Sequence, residues 1–293
     1  MTERTITLIA GPTASGKSAL ALKIAKEKNA AIVNADSMQV YDVLNILTAR
    51  PTEADTAIVP HYLYGYVNPA RHYSVGQWLC DVKKLLDTYA SKSFIFVGGT
   101  GLYFRALLDG ISEVPDVPDV VRKKWRSRLN EEGAESLYRQ LLRVDNFLCE
   151  KISSQDGQRI TRALEVYETT GRRLSWWQAQ QTEPLIASNR SEKILLIPPR
   201  QLLYERINER FDHMLEKGAL EEVIIMKNFM LSPLLPAMKA IGLRELIAYL
   251  DGYGSFNSAI EAAKTRTRRY AKRQMTWFRN QFDGEWTSIS SCD

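Results

Sequence analysis

One eight-residue segment near the start of the chain constrains the fold more than any other feature. Residues 11–18 read GPTASGKS and match the phosphate-loop pattern G-x-x-x-x-G-K-[ST] at each fixed position. The apolar run at 6–10 predicts a buried strand, and the amphipathic run at 18–28 predicts a helix. Such a unit presents backbone amides and a helix N-terminus to phosphate oxygens. The sequence therefore predicts a site for a phosphorylated ligand, without specifying ATP, GTP or another compound.

Each residue type in this loop has an expected contribution. Lys17 adds a positive point charge, and the hydroxyl of Ser18 can ligate Mg²⁺. The residues expected to bind phosphate are Gly11, Pro12, Thr13, Ala14, Ser15, Gly16, Lys17 and Ser18.

Strand and helix signals alternate over the first part of the chain, which predicts a parallel sheet. The predicted strands lie at 6–10, 31–35, 62–67, 94–97 and 193–197. The predicted helices lie at 18–28, 74–89, 102–108, 200–217, 220–229, 243–249 and 257–282. Between these groups, residues 120–181 show only helical patterns, and Pro115 and Pro118 mark a junction before them.

The resulting architecture is α/β, a parallel-sheet core of the P-loop NTPase type with a helical insertion domain. We expect residues 1–112 to form the first part of the core and 113–185 the insertion. Residues 186–293 then form the second part of the core, which ends in a basic helix.

Composition excludes several classes of protein. No apolar run approaches the ~20 residues that span a bilayer, and no signal peptide precedes the first strand. The isolated residues Cys80, Cys149 and Cys292 predict neither a disulfide framework nor a zinc site. We therefore expect a cytoplasmic protein that has no contact with a membrane.

Positive charge is concentrated near the end of the chain. The net charge is +5, and residues 264–279 contain only basic and neutral side chains, interleaved with Tyr270, Trp277 and Phe278. This pattern suits a polyanion with stackable bases, such as a nucleic acid. The alternative is a solvated helix face. A second basic cluster of similar character occupies residues 122–128.

Two segments that follow predicted strands carry candidate chemistry. Asp36 lies after the second strand, at the sheet edge where α/β proteins bind ligands. Its carboxylate can hold Mg²⁺ through water, accept a proton from a nucleophile, or cap the next segment. The strand at 94–97 runs into Gly98, Gly99, Thr100 and Gly101, where an ATPase or GTPase places a metal-binding Asp. The absence of that acid argues against an ordinary NTPase.

Arginines on two predicted helices are further candidates. Gln158, Arg159 and Arg162 fall within one helical turn of the insertion and can contact a nucleic-acid backbone, or form surface ion pairs. Arg206 and Arg210 are i, i+4 neighbours that suit a pyrophosphate, or pair with glutamates of the same helix.

Taken together, these residues resemble the tRNA dimethylallyltransferase family. The matching segments span nearly the whole chain in the family's order. They are GPTASGKS (11–18), DSxQVY (36–41), VGGTGLYFRALLDG (97–110), QRITRALEVYETTG (158–171), RxxLxxRIxxRFxxM (200–214) and YAKRQMTWFR (270–279). The chain departs from the family pattern at Leu47, Arg50 and Leu243, outside the expected chemistry.

The resemblance implies a reaction. The family transfers a dimethylallyl group from dimethylallyl diphosphate to the exocyclic amine of the adenosine 3′-adjacent to the anticodon, and releases diphosphate. The phosphate loop holds the isoprenoid diphosphate with Mg²⁺, so the motif need not indicate ATP. The helical insertion grips the anticodon stem-loop of tRNA. We expect the protein to act as a monomer.

The resemblance also assigns residues. Asp36 matches the general base, Thr100 a residue at the reacting centre, Ser18 the metal ligand, and Arg206 or Arg210 the diphosphate clamp. The residues matching tRNA-contacting positions are Asp36, Ser37, Met38, Gln39, Thr100, Arg122, Gln158, Arg159, Ile160, Thr161, Arg162, Lys272 and Arg273.

Two other functions share some of these features. A small-molecule or nucleotide kinase would use the same loop, and Asp36 as its base, but would leave the basic aromatic helix unexplained. A non-catalytic RNA-binding module would not depend on Lys17.

The basic segment at 264–279 predicts a salt dependence. Because several tRNA phosphates are neutralised on binding, we expect the logarithm of the tRNA affinity to fall linearly with the logarithm of the salt concentration. Fluorescence titrations of labelled tRNA between about 50 and about 200 mM salt measure the slope. A flat response would contradict a tRNA interface on this helix.

Overall fold

The computed structural model describes residues 4–180 and 182–290, and the chain divides into two compact units. The first unit contains the described residues up to Leu108 and from Ile186 onward, and the second is Asp109–Leu185. Among the described helices, none is long and apolar enough to cross a membrane. Cys292 lies outside the described residues, whereas Cys80 is exposed and Cys149 is buried, both as free thiols.

The first unit is built on a six-stranded parallel sheet in the order β3-β2-β4-β1-β5-β6. The strands are β1 (Ile6–Ala10), β2 (Ala31–Asn34), β3 (His61–Tyr62), β4 (Phe94–Gly98), β5 (Ser191–Leu196) and β6 (Thr287–Ile289). All five residues of β1 and of β4 are buried, as expected for parallel strands covered on both faces. The predicted α/β class, with a parallel core of the P-loop NTPase type, is confirmed.

Eight α-helices among the described residues belong to the first unit, and we number all helices in chain order. They are α1 (Lys17–Glu27), α2 (Glu53–Ile58), α3 (Val75–Thr88), α4 (Gly101–Asp109), α9 (Arg200–Glu216), α10 (Ala219–Asn228), α11 (Leu243–Leu250) and α12 (Phe256–Gln281). Seven of them were predicted to within about two residues at each end; α2 and the short edge strand β6 were not predicted.

The strand predicted at 62–67 is largely wrong. Only Tyr62 belongs to β3, because Leu63 and Gly65 have φ values of 63° and 54° and turn the chain out of the sheet. Glycine suits this position because of its left-handed backbone, and the end of the Arg50 side chain fills the space where a Cβ would lie. The amides of Tyr66 and Val67 instead donate to the carbonyl of Val40. The segment therefore covers the chain that follows Asp36.

The second unit is helical throughout its described elements. These are α5 (Asp119–Val144), α6 (Asn146–Cys149), α7 (Gly157–Thr170) and α8 (Leu174–Gln178). Gly133, with φ 78°, breaks α5 into two segments. The buried carboxylate of Asp145 accepts hydrogen bonds from the amides of Leu148 and Ser175, at 3.2 and 2.8 Å, and so joins α6 to α8.

The departures from the family pattern at Leu47 and Leu243 are core residues. Both side chains are buried in one apolar cluster with Phe211 of α9. Leu47 lies in a turn that the buried carboxylate of Glu222 stabilises. That carboxylate accepts hydrogen bonds from the amides of Asn45, Ile46 and Leu47 at 3.0, 2.6 and 2.9 Å.

Glu222 is therefore expected to stabilise the first unit. Glu222→Gln replaces one acceptor oxygen by a donor that faces backbone N–H groups, so we expect the free energy of unfolding to fall by about 1–2 kcal/mol. Urea denaturation of the full chain measures the change. Glu221→Gln is the matched control, because Glu221 is the exposed neighbour; equal losses in the two variants would contradict this role.

Candidate active site

The phosphate loop leaves β1 near the centre of the sheet and enters α1. Gly16 precedes α1 with φ 94°, and no side chain caps the helix. The first-turn amides of α1 are therefore available to an anion. Gly11 allows a close passage of the chain, since a Cβ there would lie 2.6 Å from the carbonyl oxygen of Leu196. The loop has the form that binds phosphate groups.

Two cations and one carboxylate meet at this loop. Lys17 donates through Nζ to the carbonyl of Pro12 at 3.1 Å, and Arg210 of α9 donates through Nη2 to Oγ1 of Thr13. Burial lowers the pKa of Lys17 to about 8, an effect that the charge of Asp36 opposes and that of Arg210 reinforces. Burial likewise lowers the pKa of Arg210 to about 10, again opposed by Asp36. The loop is thus a partly desolvated positive site that faces Asp36.

Asp36 is fixed by a polar turn at the end of β2. Its backbone amide donates to Oδ1 of Asn34 at 2.8 Å, and its own Oδ1 accepts from the amide of Met38 at 2.9 Å. Asn34 is held in turn by Trp78, whose indole Nε1 donates to the Asn34 carbonyl at 3.0 Å. One carboxylate oxygen of Asp36 therefore caps the following turn, as one sequence interpretation proposed. The other oxygen makes no hydrogen bond to the described residues and is free to act on a ligand.

The loop after β4 packs too closely to its neighbours for side chains at its glycines. A Cβ on Gly98 would lie 2.0 Å from the carbonyl oxygen of Ala35, and one on Gly101 would lie 2.0 Å from the Trp277 ring. Thr100 provides the polar group here, because its Oγ1 accepts from the amide of Ser37 at 3.0 Å. Thr100 and the Asp36 turn are therefore directly connected.

The structure distinguishes the two arginines that the sequence left open. Arg210 reaches Thr13, whereas Arg206 is exposed one turn earlier on α9. The reason is helix phase: Leu203, Ile207 and Phe211 form the buried face of α9. Arg210 lies at the edge of this face and Arg206 lies away from it, so the expectation that Arg206 lines the site is not met.

Two residues of α12 belong to the site and were not predicted. Gln274 is buried among the basic residues; its Oε1 accepts from the Thr13 amide at 3.0 Å and its Nε2 donates to the Gly99 carbonyl at 2.8 Å. Burial and the charge of Asp36 raise the pKa of Tyr270. A signal for Gln274 existed, since it shares a helical face with the buried residues Ala271 and Phe278.

The expected tRNA-contacting residues of the first unit divide into two groups. Lys272 and Arg273 are exposed on α12 and line a groove of about 520 Å³ together with Trp277. Ser37, Met38 and Gln39 are half-buried in the Asp36 turn. Gln39 donates to the carbonyls of Thr48 and Ala49, both at 2.9 Å, so its side-chain amide supports the loop.

In the second unit, α7 presents only part of the expected set to solvent. Gln158 and Arg159 are exposed, whereas Ile160 is buried in the core and Thr161 donates through Oγ1 to the carbonyl of Gly157 at 2.7 Å. Side-chain contacts of Ile160 and Thr161 with a ligand are therefore not available, a correction imposed by the phase of the helix.

Arg162 belongs to an arginine cluster in the second unit. Burial raises the pKa of the Glu165 carboxyl, and the charges of Arg162, Arg126 and Arg122 oppose this effect. Arg162 also pairs with Glu165 at 3.8 Å. Three guanidinium groups thus act on one buried carboxylate, and Asp119 and Asp116 balance part of their charge. The planar donors of these arginines suit the oxygens of a phosphate backbone.

A divalent cation at the phosphate loop would need ligands from its substrate. Within residues 4–180 and 182–290, no three His, Cys, Asp or Glu side chains form a metal-binding group. Ser18 lies exposed in the first turn of α1, where its hydroxyl can ligate Mg²⁺ that is already bound to a diphosphate. This donor set fits Mg²⁺, which retains water ligands and binds through substrate phosphates.

Comparison with known proteins identifies the family. A model of IPP transferases matches residues 39–281, and a model of isopentenyl transferases matches residues 4–62. The tRNA dimethylallyltransferase of Bartonella quintana is 76% identical over 293 residues, which is all of this chain and 99% of that protein. The chain belongs to the tRNA dimethylallyltransferase family. It is thus related to prenyltransferases that modify tRNA.

More distant relatives agree with this assignment. The tRNA dimethylallyltransferase of a Chelativorans species is 53% identical over 96% of this chain and 97% of its own. The tRNA isopentenylpyrophosphate transferase of Bacillus halodurans superposes with a TM-score of 0.69 at 30% identity, covering 99% of this chain and 92% of that one. A eukaryotic dimethylallyltransferase whose crystal structures show it acting on tRNA reaches a TM-score of 0.81 at 27% identity, covering 100% and 75%.

The lowered pKa of Lys17 predicts a pH dependence of anion binding. The ammonium group is charged below its pKa of about 8 and neutral above it, so we expect the affinity for inorganic pyrophosphate to fall as the pH rises through about 8. Calorimetric titrations at several pH values measure this.

The matched variant for this measurement is Lys17→Arg, in which the charge persists throughout the range. Pyrophosphate also ionises in this pH range, but its ionisation affects both proteins equally. Its effect therefore cancels when the wild-type affinity is divided by the variant affinity at each pH. A ratio that stays constant across pH 8 would contradict the assignment.

Proposed function

We propose that this chain transfers the dimethylallyl group of dimethylallyl diphosphate to the exocyclic amine of the adenosine 3′-adjacent to the anticodon in tRNA, with release of diphosphate. The observation that carries the proposal is the meeting of Lys17, Arg210 and the uncapped first turn of α1 with Asp36. One side of this pocket suits a diphosphate and the other suits a proton acceptor.

The positive side of the pocket stabilises the leaving group. Cleavage of the allylic C–O bond places negative charge on the diphosphate. Lys17, Arg210 and the loop amides are held in place to receive that charge. Because the same groups are partly desolvated, their interaction with the developing charge is stronger than it would be in water.

Asp36 acts on the nucleophile. An exocyclic amine attacks weakly, and its proton must leave as the new C–N bond forms. The free carboxylate oxygen of Asp36 accepts this proton, while its Oδ1 remains bonded to the Met38 amide. Thr100 keeps the turn in position through the Ser37 amide. The adenine must leave its stack to reach this pocket, as in other enzymes that modify bases.

We propose Mg²⁺ as the cofactor, ligated by Ser18 and the diphosphate. The ion neutralises leaving-group charge when it is bound. The chain's own cations then need to offset only part of that charge, which fits the small number of basic side chains at the loop.

The tRNA is bound by basic surfaces on each unit. On the first unit these are the exposed cations Lys272 and Arg273 beside Trp277. On the second unit, proposed to hold the anticodon stem-loop, they are Arg122, Arg162 and the exposed Gln158 and Arg159. We further propose that the enzyme works as a monomer and, because its substrate is tRNA, in the cytoplasm.

Mass spectrometry of tRNA nucleosides tests the reaction directly. After incubation of tRNA with the purified protein and dimethylallyl diphosphate, we expect one adenosine per substrate tRNA to gain a dimethylallyl group. A parallel incubation with radiolabelled ATP tests the kinase alternative. Consumption of ATP with chemically unchanged tRNA would overturn the proposal.

Asp36→Asn tests the general base. The amide is a poor proton acceptor of nearly the same shape, so we expect kcat to fall by about 10²–10⁴-fold. The tRNA affinity, measured by filter binding, should change little. Asp42→Asn is the control, because Asp42 is an exposed acid of the same segment. Turnover close to wild type in Asp36→Asn would contradict the role of Asp36.

A further inference from the structure

We propose that Gln274 is a positioning residue that keeps the phosphate loop and the Asp36 turn in register, and so couples diphosphate binding to the reacting centre. The inference rests on the proposed function for its catalytic consequence. Its structural basis is a single buried side chain that bridges two loops of the pocket.

The two ends of the Gln274 amide bind different loops. Oε1 accepts from the amide of Thr13 in the phosphate loop at 3.0 Å. Nε2 donates to the carbonyl of Gly99 in the loop after β4 at 2.8 Å. The side chain is 5% exposed, so neither loop group has water as a ready substitute partner. Both bonds are therefore costly to lose.

The bridge continues to the proposed base. Gly99 is followed by Thr100, whose Oγ1 accepts from the Ser37 amide at 3.0 Å, and Ser37 is the residue after Asp36. Thr13 is also the residue whose hydroxyl receives Arg210. Gln274 thus stands between the residue that meets the diphosphate clamp and the turn that carries the proton acceptor.

Only an amide side chain of this length meets both demands. The Thr13 N–H needs an acceptor and the Gly99 carbonyl needs a donor, and Gln supplies one of each. The fit is close, since a Cβ on Gly99 would lie 2.3 Å from Nε2 of Gln274. One phosphate-loop amide is consequently committed to the protein, and α12, which carries the exposed Lys272 and Arg273, is fastened to the diphosphate pocket.

Gln274→Met tests the bridge, because Met is similar in length and makes neither hydrogen bond. We expect the KM for dimethylallyl diphosphate to rise about tenfold, since the phosphate loop loses one tether. We expect kcat to fall at least tenfold, since the diphosphate and Asp36 lose their mutual alignment. The tRNA affinity should change less than about twofold, because the Gln274 side chain is buried.

The control is Gln201→Met, the same substitution at an exposed glutamine of α9 that contacts Glu205; it should leave these values unchanged. Wild-type KM and kcat in Gln274→Met would overturn the proposal. A loss of tRNA affinity alone would also overturn it. So would a smaller fraction of active enzyme with an unchanged KM, because that result indicates a residue needed only for folding.

A double-mutant cycle with Thr100→Val tests the connection to the Asp36 turn. If both residues act through one network, the losses in kcat will be less than multiplicative in the double variant. Independent, multiplicative losses would contradict the connection. Should Gln274→Met fail to fold, Gln274→Leu replaces it. Leu also makes neither hydrogen bond and adds no charge, so we expect the same fall in kcat.

Binding of inorganic pyrophosphate, measured by calorimetry, separates this proposal from the proposed function. If the wild-type protein modified no tRNA, the proposed transfer reaction would be contradicted. A weaker pyrophosphate affinity in Gln274→Met than in Gln201→Met would still support the tether on the phosphate loop. Equal affinities would overturn it.

Discussion

The structure of the pocket depends on positive charge held out of water. Lys17 and Arg210 are desolvated beside the uncapped N-terminus of α1, and the pKa of each cation is lowered by this burial. Removing charges from water is costly unless they gain partners. Asp36 provides part of that compensation, and a diphosphate provides the remainder when it binds. The positive charge that would bind the leaving diphosphate is therefore already in place in the free protein.

This arrangement explains why the carboxylate that balances the cations is also the proposed base. Asp36 is restrained by Asn34 and Met38 and keeps one oxygen available. When a diphosphate carries the negative charge at Lys17 and Arg210, Asp36 is no longer their principal counter-ion. Its free oxygen can then serve the incoming amine. On the proposed mechanism, binding of the diphosphate therefore prepares Asp36 to act on the amine.

Much of the fold followed from local patterns in the sequence. The phosphate loop, the strands around it and the extents of α9 and α12 were predicted because their signals are regular over many residues. The short strand β6 and helix α2 were missed because three and six residues carry too little periodicity. The strand predicted at 62–67 failed at Leu63 and Gly65, whose left-handed backbone conformations cannot be seen in a β-rich composition.

The site was predicted less completely than the fold. Asp36, Thr100 and the loop residues are adjacent to strand ends, so their neighbourhood follows from topology. Arg206 and Arg210 are chemically equivalent in the sequence, and the packing of Leu203, Ile207 and Phe211 decides between them. Gln274 contacts residues more than 170 positions away, and no local pattern encodes such a pairing. The available signal was its position on the same face of α12 as Ala271 and Phe278.

The close packing of the Gly98–Gly101 segment has an evolutionary consequence. An ancestor or descendant that hydrolysed nucleoside triphosphates would need an acid at the end of β4. At Gly98 such a side chain would collide with the backbone of Ala35, and at Gly99 with Gln274. Introducing that acid at either glycine would therefore require the Ala35 backbone or the Gln274 side chain to move.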